Sequence, residues 1–458
     1  MTLTSTTPER IREIRGKQAR YFHSGATLDV AVRKSNLKAF EKAVLKWEKP
    51  LCDALWADLH KSYEEAYMTE ISILLGEIRT HIRKIGEWTR NTCVPTPLKM
   101  FPSMSRIISE PLGTALIISP WNYPVQLLLT PLVGAISAGC TAVLKPSPYV
   151  PNVSKVIEDM IADTFPEDYI AVTQGHRDVN AALLEERWDI IFFTGSPSLG
   201  RRVMTAAAKS LTPVVLELGG KSPCIIDKDA DINVAAKRVA WGKTLNAGQT
   251  CIAPDYLMVH EDVKARFLEA LGKSFTELLG KNPQESGHFV RVVNDAAFER
   301  LTAYFNDGNV VFGGHTDKAE RYIEPTVLDN VSPDSPVMQE EIFGPIFPVL
   351  TFRNISEVTE FVTSREKPLA LYYFGKNGDY VLKHTSSGGS CLNDTILHIA
   401  NEHVPFGGVG MSGMGSYHGK LSFDAFTHYR SNIVTPTSVD LPFRYMPYKF
   451  FKMVKSLL

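Results

Sequence analysis

Apolar and polar positions follow two different periods along this chain. From Pro8 to about Thr92, charged residues such as Glu9, Arg10 and Glu13 fall between apolar ones such as Ile11 and Ile14, which predicts a lead-in of amphipathic helices. Residues 94–109 carry Pro95, Pro97 and Pro102 before the β-prone Ile107 and Ile108, and are predicted as a linker feeding a strand. Short apolar runs at 114–118, 141–144, 170–172, 190–193 and 214–216 then alternate with helical stretches. That alternation predicts a parallel sheet with crossover helices. After Glu217 a second set at 223–226, 256–259, 310–312 and 346–351 predicts a second α/β domain.

Residues 111–144 carry no charged side chain, a length that raises the question of a membrane span. Pro120, Asn122, Pro124, Gln126 and Pro131 interrupt the stretch, and prolines at that density break a single helix. Strand, loop, buried helix and second buried strand are expected instead. At the other end, residues 441–458 place Met446, Phe450, Val454 and Leu457 near helical spacing, with Arg444, Lys449, Lys452 and Lys455 between them. Taken as a helix over 437–458, this basic aromatic tail suits three roles: a weak contact with a membrane surface, a cap over a pocket, or a terminal helix packed on its own protein.

Length divides this pattern into parts. A chain of 458 residues exceeds one ordinary core, since single cores stop growing at about 250–300 residues, so two or three domains are expected. A hydrophobic fraction of 44% and a charged fraction of 22% belong to an ordinary soluble globular protein, and a net charge of −1 excludes nucleic acid as a partner class. The six cysteines (Cys52, Cys93, Cys140, Cys224, Cys251, Cys391) contain no C-x-x-C pair and read as reduced thiols of a cytoplasmic protein. The first residues lack the apolar core of a secretory signal.

Three tempting motifs fail their context. Gly408-Val409-Gly410-Met411-Ser412-Gly413 spells a dinucleotide fingerprint but follows Pro405-Phe406-Gly407 rather than a strand. Gly220-Lys221-Ser222 mimics the end of a P-loop, yet the loop's first glycine position is Val215. His398 and His403, with Glu402, sit five apart and on different helix faces, so no metal is expected.

Four separated motifs make sense together. In Ile118-Ser119-Pro120-Trp121-Asn122-Tyr123-Pro124, an asparagine between two prolines is suited to donate its amide to an oxyanion. In Leu216-Glu217-Leu218-Gly219-Gly220, a carboxylate among leucines is expensive unless used, and the glycines allow close backbone approach. In Asn246-Ala247-Gly248-Gln249-Thr250-Cys251, a cysteine in an amide-rich turn can have its thiolate stabilised by N–H donors. Glu340-Glu341-Ile342-Phe343-Gly344-Pro345 offers a carboxylate for sugar hydroxyls with an aromatic face beside it.

With these motifs the chain resembles the aldehyde dehydrogenase superfamily, and within it the class 3 branch that includes fatty aldehyde dehydrogenases. The similarity runs from the N-terminal helices to about Val434. The class 3 character lies in the absence of a long N-terminal extension and in the run from Pro405 through Gly407, Gly410 and Gly413 to His418-Gly419-Lys420. The resemblance implies that Cys251 is the nucleophile, that Asn122 and the Cys251 N–H receive the thiohemiacetal oxygen, and that Glu217 activates water. It implies further that Lys145 and Ser147 meet the adenine ribose, Gly195 and Ser196 the pyrophosphate at a helix N-terminus, and Glu341 and Phe343 the nicotinamide ribose and ring. NAD, NADP or both are the implied cofactors. The family usually carries a glutamate three residues after the lysine, where this chain has Pro148. Its loss weakens one NAD contact and removes a charge that would repel a 2′-phosphate.

The implied architecture is α/β, with a Rossmann-like cofactor domain (1–86 and 111–216), an α/β catalytic domain (217–399), a small β bridging and oligomerisation element (87–110 and 400–436) and the tail (437–458). A homodimer is the family expectation. The implied reaction is NAD(P)-dependent oxidation of an aldehyde to its acid through a thioester. A coenzyme A-acylating enzyme would need no water-activating base, a cysteine peptidase would need a histidine partner and a local signature that Gln249-Thr250-Cys251-Ile252 lacks, and an inactive structural homologue would not need all four motifs. Tyr123, Trp241, Leu245 and Thr250 flank the matched residues and suggest an apolar entrance for medium- or long-chain aliphatic or aromatic aldehydes.

Overall fold

The computed structural model of the chain describes residues 3–457. A six-stranded sheet has the spatial order Gly413–Met414, Val214–Leu218, Ile190–Gly195, Thr114–Ile118, Thr141–Lys145, Ile170–Val172. All its pairings are parallel except the first, in which Gly413 lies antiparallel to Glu217. Alternate residues serve opposite faces. Leu116, Ile118, Val143, Ile191 and Phe193 pack under the helices Pro8–His23 and Pro197–Ala208, while Ala115, Ile117, Leu144 and Phe192 pack against the helix Gln126–Ala138. Because both faces are covered, these strands read as continuous apolar runs rather than alternating ones.

The uncharged stretch resolves as expected into strand, loop, helix and strand, with every residue of Gln126–Ala138 buried. Pro131 lies inside that helix. Among the described residues, no helix is long and apolar enough to cross a membrane.

A seven-stranded sheet follows, in the order Asn309–Phe312, Thr326–Asp329, Ile346–Phe352, Tyr256–His260, Pro223–Ile226, Ala370–Phe374, Gly389–Leu392. Only Asn309–Phe312 runs antiparallel to its neighbour. A third, antiparallel sheet joins Thr92–Val94, Met104–Pro111 and Thr427–Val434. The segment 400–436 is divided between two sheets. Gly413–Met414 borders the first, and Thr427–Val434 completes the third.

The tail departs from expectation: a single helix over 437–458 does not form. The chain makes a turn at Pro442–Arg444 and becomes helical only over Phe451–Leu457. Pro442 and Pro447 lack the N–H that a continuous helix needs, so the apolar spacing read across them belongs to no single face.

Candidate active site

The strand order of the first sheet reverses between Thr114–Ile118 and Ile190–Gly195, and ligands bind outside the carboxyl ends of strands at such a switch point. Asn122 follows the first of these strands, and Thr194, Gly195 and Ser196 close the second. From the other side, Gly219, Cys251, Glu341 and Phe343 each come just ahead of a strand of the second sheet. The carboxyl ends of one sheet thus face the amino ends of the other across a cavity of about 260 Å³, bordered by Asn122, Gly195, Ser196, Glu217, Cys251, Glu341 and Phe343.

The turn before Cys251 is strained. Asn246 and Ala247 have φ of 51° and 52°, left-handed values that cost a non-glycine residue about 1–3 kcal/mol each. At Gly248 (φ 72°) a Cβ would stand 2.4 Å from the Gly344 carbonyl oxygen, so only glycine fits. Hydrogen bonds hold this shape. Asn246 Nδ2 donates to the carbonyls of Asn122 and Gln249, both at 3.0 Å. Gln249 Nε2 donates to the carbonyls of Asn246 and Arg291 at 3.1 Å, and its Oε1 accepts from Val293 N at 3.1 Å. Asn122 Nδ2 donates to Gln249 O at 3.0 Å, which leaves one amide proton uncommitted.

The ionisable groups are tuned chiefly by burial. Burial pushes the Cys251 thiol up, the Glu341 and Glu217 carboxylates add to that, and the N–H groups of Cys251 and Ile252 oppose it. Glu217 is 3% exposed, neither of its oxygens has a hydrogen-bond partner, and burial holds its carboxyl well above the usual range. Burial and then Asp255 raise Glu341 to about 8, against the Gly220 N–H, Lys221 and Arg300. Gly219 permits Glu341 to come this close, since a Cβ at 219 would lie 2.0 Å from its Oε2. Phe343 faces Trp121 edge-on, with ring centroids 5.4 Å apart.

Lys145 and Ser147 lie outside this cavity, at the carboxyl end of the strand that neighbours Thr114–Ile118. Lys145 is buried, its Nζ donates to Pro146 O at 2.7 Å, and burial lowers its pKa to about 8 while Asp178 opposes the shift. Ser147 Oγ accepts from Tyr149 N at 3.4 Å. Ser196 caps the helix Pro197–Ala208, its side chain accepting from Leu199 N. Of the four residues expected at the entrance, none borders the cavity. Tyr123 Oη and Thr250 Oγ1 bond to each other at 2.7 Å, Leu245 is half-buried, and Trp241 is 36% exposed.

The motifs set aside have structural uses. Lys221 Nζ pairs with Asp255 and donates to Glu340 O at 2.8 Å, while Asp255 Oδ1 accepts from Ile342 N at 2.8 Å, so this lysine anchors the Glu341 loop. Gly413 (φ 145°) lies where a Cβ would stand 2.2 Å from Leu216 O, which docks its turn on the strand carrying Glu217. His398 Nδ1 meets Cys391 Sγ at 3.4 Å, and among the described residues no group of three His, Cys, Asp or Glu could hold a metal. Sequence reasoning missed Lys61, Glu65 and Glu70, which are buried behind the Asn122 loop. Glu70 lies four and eight residues before the apolar Leu74 and Ile78, and a carboxylate on an apolar stripe was the available signal.

A doubly wound sheet with a cysteine, an asparagine and an orphaned carboxylate at its switch point has the form of a nucleotide-dependent enzyme. The profile of the Aldehyde dehydrogenase family matches residues 1–432. The 4,4'-diaponeurosporen-aldehyde dehydrogenase of Staphylococcus aureus is 48% identical, over 95% of this chain and 96% of its own. "Aldehyde dehydrogenase, dimeric NADP-preferring" of Canis lupus familiaris is 42% identical over 96% of this chain and 98% of its own. The solved structure described as the substrate bound state of Staphylococcus aureus AldH superposes with a TM-score of 0.96 at 46% identity, covering 98% of this chain and 99% of that one. The chain belongs to the aldehyde dehydrogenase family, in its class 3 branch. It is a non-acylating enzyme that oxidises aldehydes with NAD or NADP.

Proposed function

We propose that this enzyme converts medium- or long-chain aliphatic or aromatic aldehydes to carboxylic acids through a thiohemiacetal and then a thioester on Cys251, as a homodimer in the cytoplasm. The supporting observation is that Cys251, Asn122 and the unpartnered Glu217 border one cavity with Glu341 and Phe343. The Cys251 thiol gives up its proton to solvent, and the thiolate adds to the aldehyde carbon and puts negative charge on its oxygen, which the uncommitted Asn122 amide proton and the Cys251 N–H receive. Bound NAD or NADP supplies the acceptor for the hydride that leaves when this oxyanion collapses to the thioester. Water then attacks the thioester carbon, Glu217 takes the water's proton, and sulfur leaves as the acid is released. A carboxyl whose pKa is raised by burial is the stronger base for that step once ionised.

The residues fit the cofactor. The buried Lys145 ammonium has three donors and one carbonyl partner, leaving donors for ribose hydroxyls with Ser147 beside it. Gly195 and Ser196 open a helix whose N-terminal N–H groups suit a pyrophosphate. Glu341 would hold the nicotinamide ribose and Phe343 the ring. The dimeric state is carried from the dog relative's description, and the cytoplasm keeps the Cys251 thiol reduced.

The tail exposes Phe443, Tyr445, Tyr448, Phe450 and Phe451 beside Arg444, Lys449, Lys452 and Lys455, a composition suited to a weak contact with an anionic membrane surface. A panel of aldehydes of graded chain length, assayed with both cofactors before and after removal of residues 441–458, tests these assignments. Efficiency should rise with chain length in the intact enzyme, and the truncated one should lose binding to anionic liposomes while keeping its selectivity. Turnover confined to the shortest aldehydes would refute the substrate class, and altered chain-length preference without loss of liposome binding would make the tail a pocket cap.

A further inference from the structure

The two loops that carry Asn122 and Cys251 are fastened to a third segment that does not border the cavity. Lys61 lies in the connection after the helix Val30–Leu59, Glu65 and Glu70 lie on the short helical stretch that leads from there into the helix Ser72–Trp88, and all three are buried. Lys61 Nζ pairs with Glu70 Oε1 at 2.7 Å and donates to the Asn122 carbonyl at 3.1 Å. Glu70 Oε2 accepts from Val125 N at 2.8 Å and Gln126 N at 3.3 Å. These bonds hold the asparagine loop. Glu65 Oε1 accepts from Asn246 N at 2.8 Å, at the first left-handed residue of the cysteine turn. The carboxamide of that same Asn246 donates to the carbonyls of Asn122 and Gln249 and so stitches the two loops together.

We infer that Glu65 is a positioning residue for oxyanion binding: by fixing the Asn246 N–H it holds the Cys251 turn in register with the Asn122 amide. The inference rests on the role assigned above to Asn122. A carboxyl group suits this place because its ionised form binds an N–H about twice as strongly as a neutral acceptor does, and the turn it holds is strained. The charge is not secured by the neighbouring ammonium alone, since Lys61 also serves Glu70. The groups facing Glu65 are Lys61, which favours its ionised form, Glu70, which opposes it, and the Asn246 N–H; burial outweighs them and raises Glu65 to about 7. Tyr123 closes the set, its ring 4.2 Å from Lys61 Nζ and its hydroxyl on Thr250.

The test is a double-mutant cycle read by the first-turnover burst of reduced cofactor in the full-length enzyme, with cofactor Kd measured alongside. Glu65→Ala should slow the burst about tenfold or more while leaving cofactor Kd within about twofold, because a misplaced oxyanion donor costs rate and not nucleotide affinity. In an Asn122→Ala background the same substitution should cost no more than about twofold further, since the residue it positions is gone. If Glu65→Ala fails to fold, Glu65→Gln keeps the shape and an acceptor but not the charge, and should show the same loss of effect in the Asn122→Ala background at a smaller amplitude. A burst within about twofold of wild type in the Glu65 variants, or a full, multiplying effect in the Asn122→Ala background, overturns the inference. An unchanged burst in Asn122→Ala alone would instead overturn the role of Asn122, and the inference with it.

Discussion

The cysteine site and the neighbouring lysine site are built on opposite plans. At the cysteine site, the polar groups of the turn are heavily committed: Gln249 makes three side-chain hydrogen bonds, and its carbonyl accepts from both Asn122 and Asn246. Glu217 departs furthest from this, with neither oxygen bonded, and the carboxamide oxygens of Asn122 and Asn246 are also without a partner. At the lysine site, one buried ammonium has one carbonyl partner, and Pro148 stands three residues after it. Hydrogen bonds at the first site fix atoms to within the tolerance that bond-making needs, whereas at the second a charge in a low dielectric selects by what is near it. Catalytic geometry should therefore fail sharply when a cysteine-site residue changes, and cofactor choice should shift by degrees when the lysine site changes.

The largest expected effect is at the nucleophile. Cys251→Ser should reduce turnover to below a few per cent of wild type with cofactor binding largely intact, because a serine hydroxyl is not a nucleophile at neutral pH without an activating base. Stopped-flow absorbance of the reduced cofactor and a separate binding titration check this, and retained turnover would break the contrast at its strongest point. Glu217→Gln comes next and separates the two chemical steps. The first-turnover burst should persist while steady-state turnover falls about 100-fold or more, with a thioester adduct visible by intact mass. A normal steady state would mean that the orphaned carboxylate is not the base.

How far this division shows in the sequence depends on how local the signal is. The strands 114–118, 170–172 and 223–226 form over the predicted residues because both faces of each sheet are covered, which writes burial as an unbroken apolar run. Gly389–Leu392 escapes that logic. It is an edge strand of small and polar residues with half-exposed positions, and nothing in its composition separates it from a loop. Asn122, Glu217, Cys251, Glu341 and Phe343, which border the cavity, sit in short contiguous motifs and stand out in the sequence, whereas the close approach of Glu341 to Gly219 does not. Nor do most supports of those motifs. Lys61 and Glu65 fall in a charged stretch that reads as solvent-facing, and a π-helical turn at Tyr67–Ile71 shifts the phase of the helix, so only Glu70, in step with Leu74 and Ile78, carries a periodic signal of pointing inward. Nearness in sequence to Asn122 and Cys251 does not by itself put Tyr123, Trp241, Leu245 and Thr250 on the cavity wall.

The smallest expected effect sharpens the lysine site. A glutamate at position 148 would accept from adenine-ribose hydroxyls but would set a negative charge where a 2′-phosphate must lie, and like charges close together in a partly buried site repel strongly. Proline does neither, so the wild type should use NADP and NAD with kcat/KM values within about 100-fold of each other, and Pro148→Glu should lower NADP efficiency about tenfold or more while changing NAD efficiency less. The charge proposed to attract the phosphate is that of Lys145, whose pKa burial lowers to about 8. Below that pH the ammonium is charged and available to the phosphate; as pH rises through it the charge is lost. The Kd for NADP should therefore weaken more than that for NAD between about pH 7 and pH 9, a difference that fluorescence titration of each cofactor reads directly, and Lys145→Met should abolish it. A wild type that already prefers NAD a thousandfold, or parallel pH profiles for the two cofactors, would show that another residue sets the choice and that the lysine site selects by fixed geometry after all.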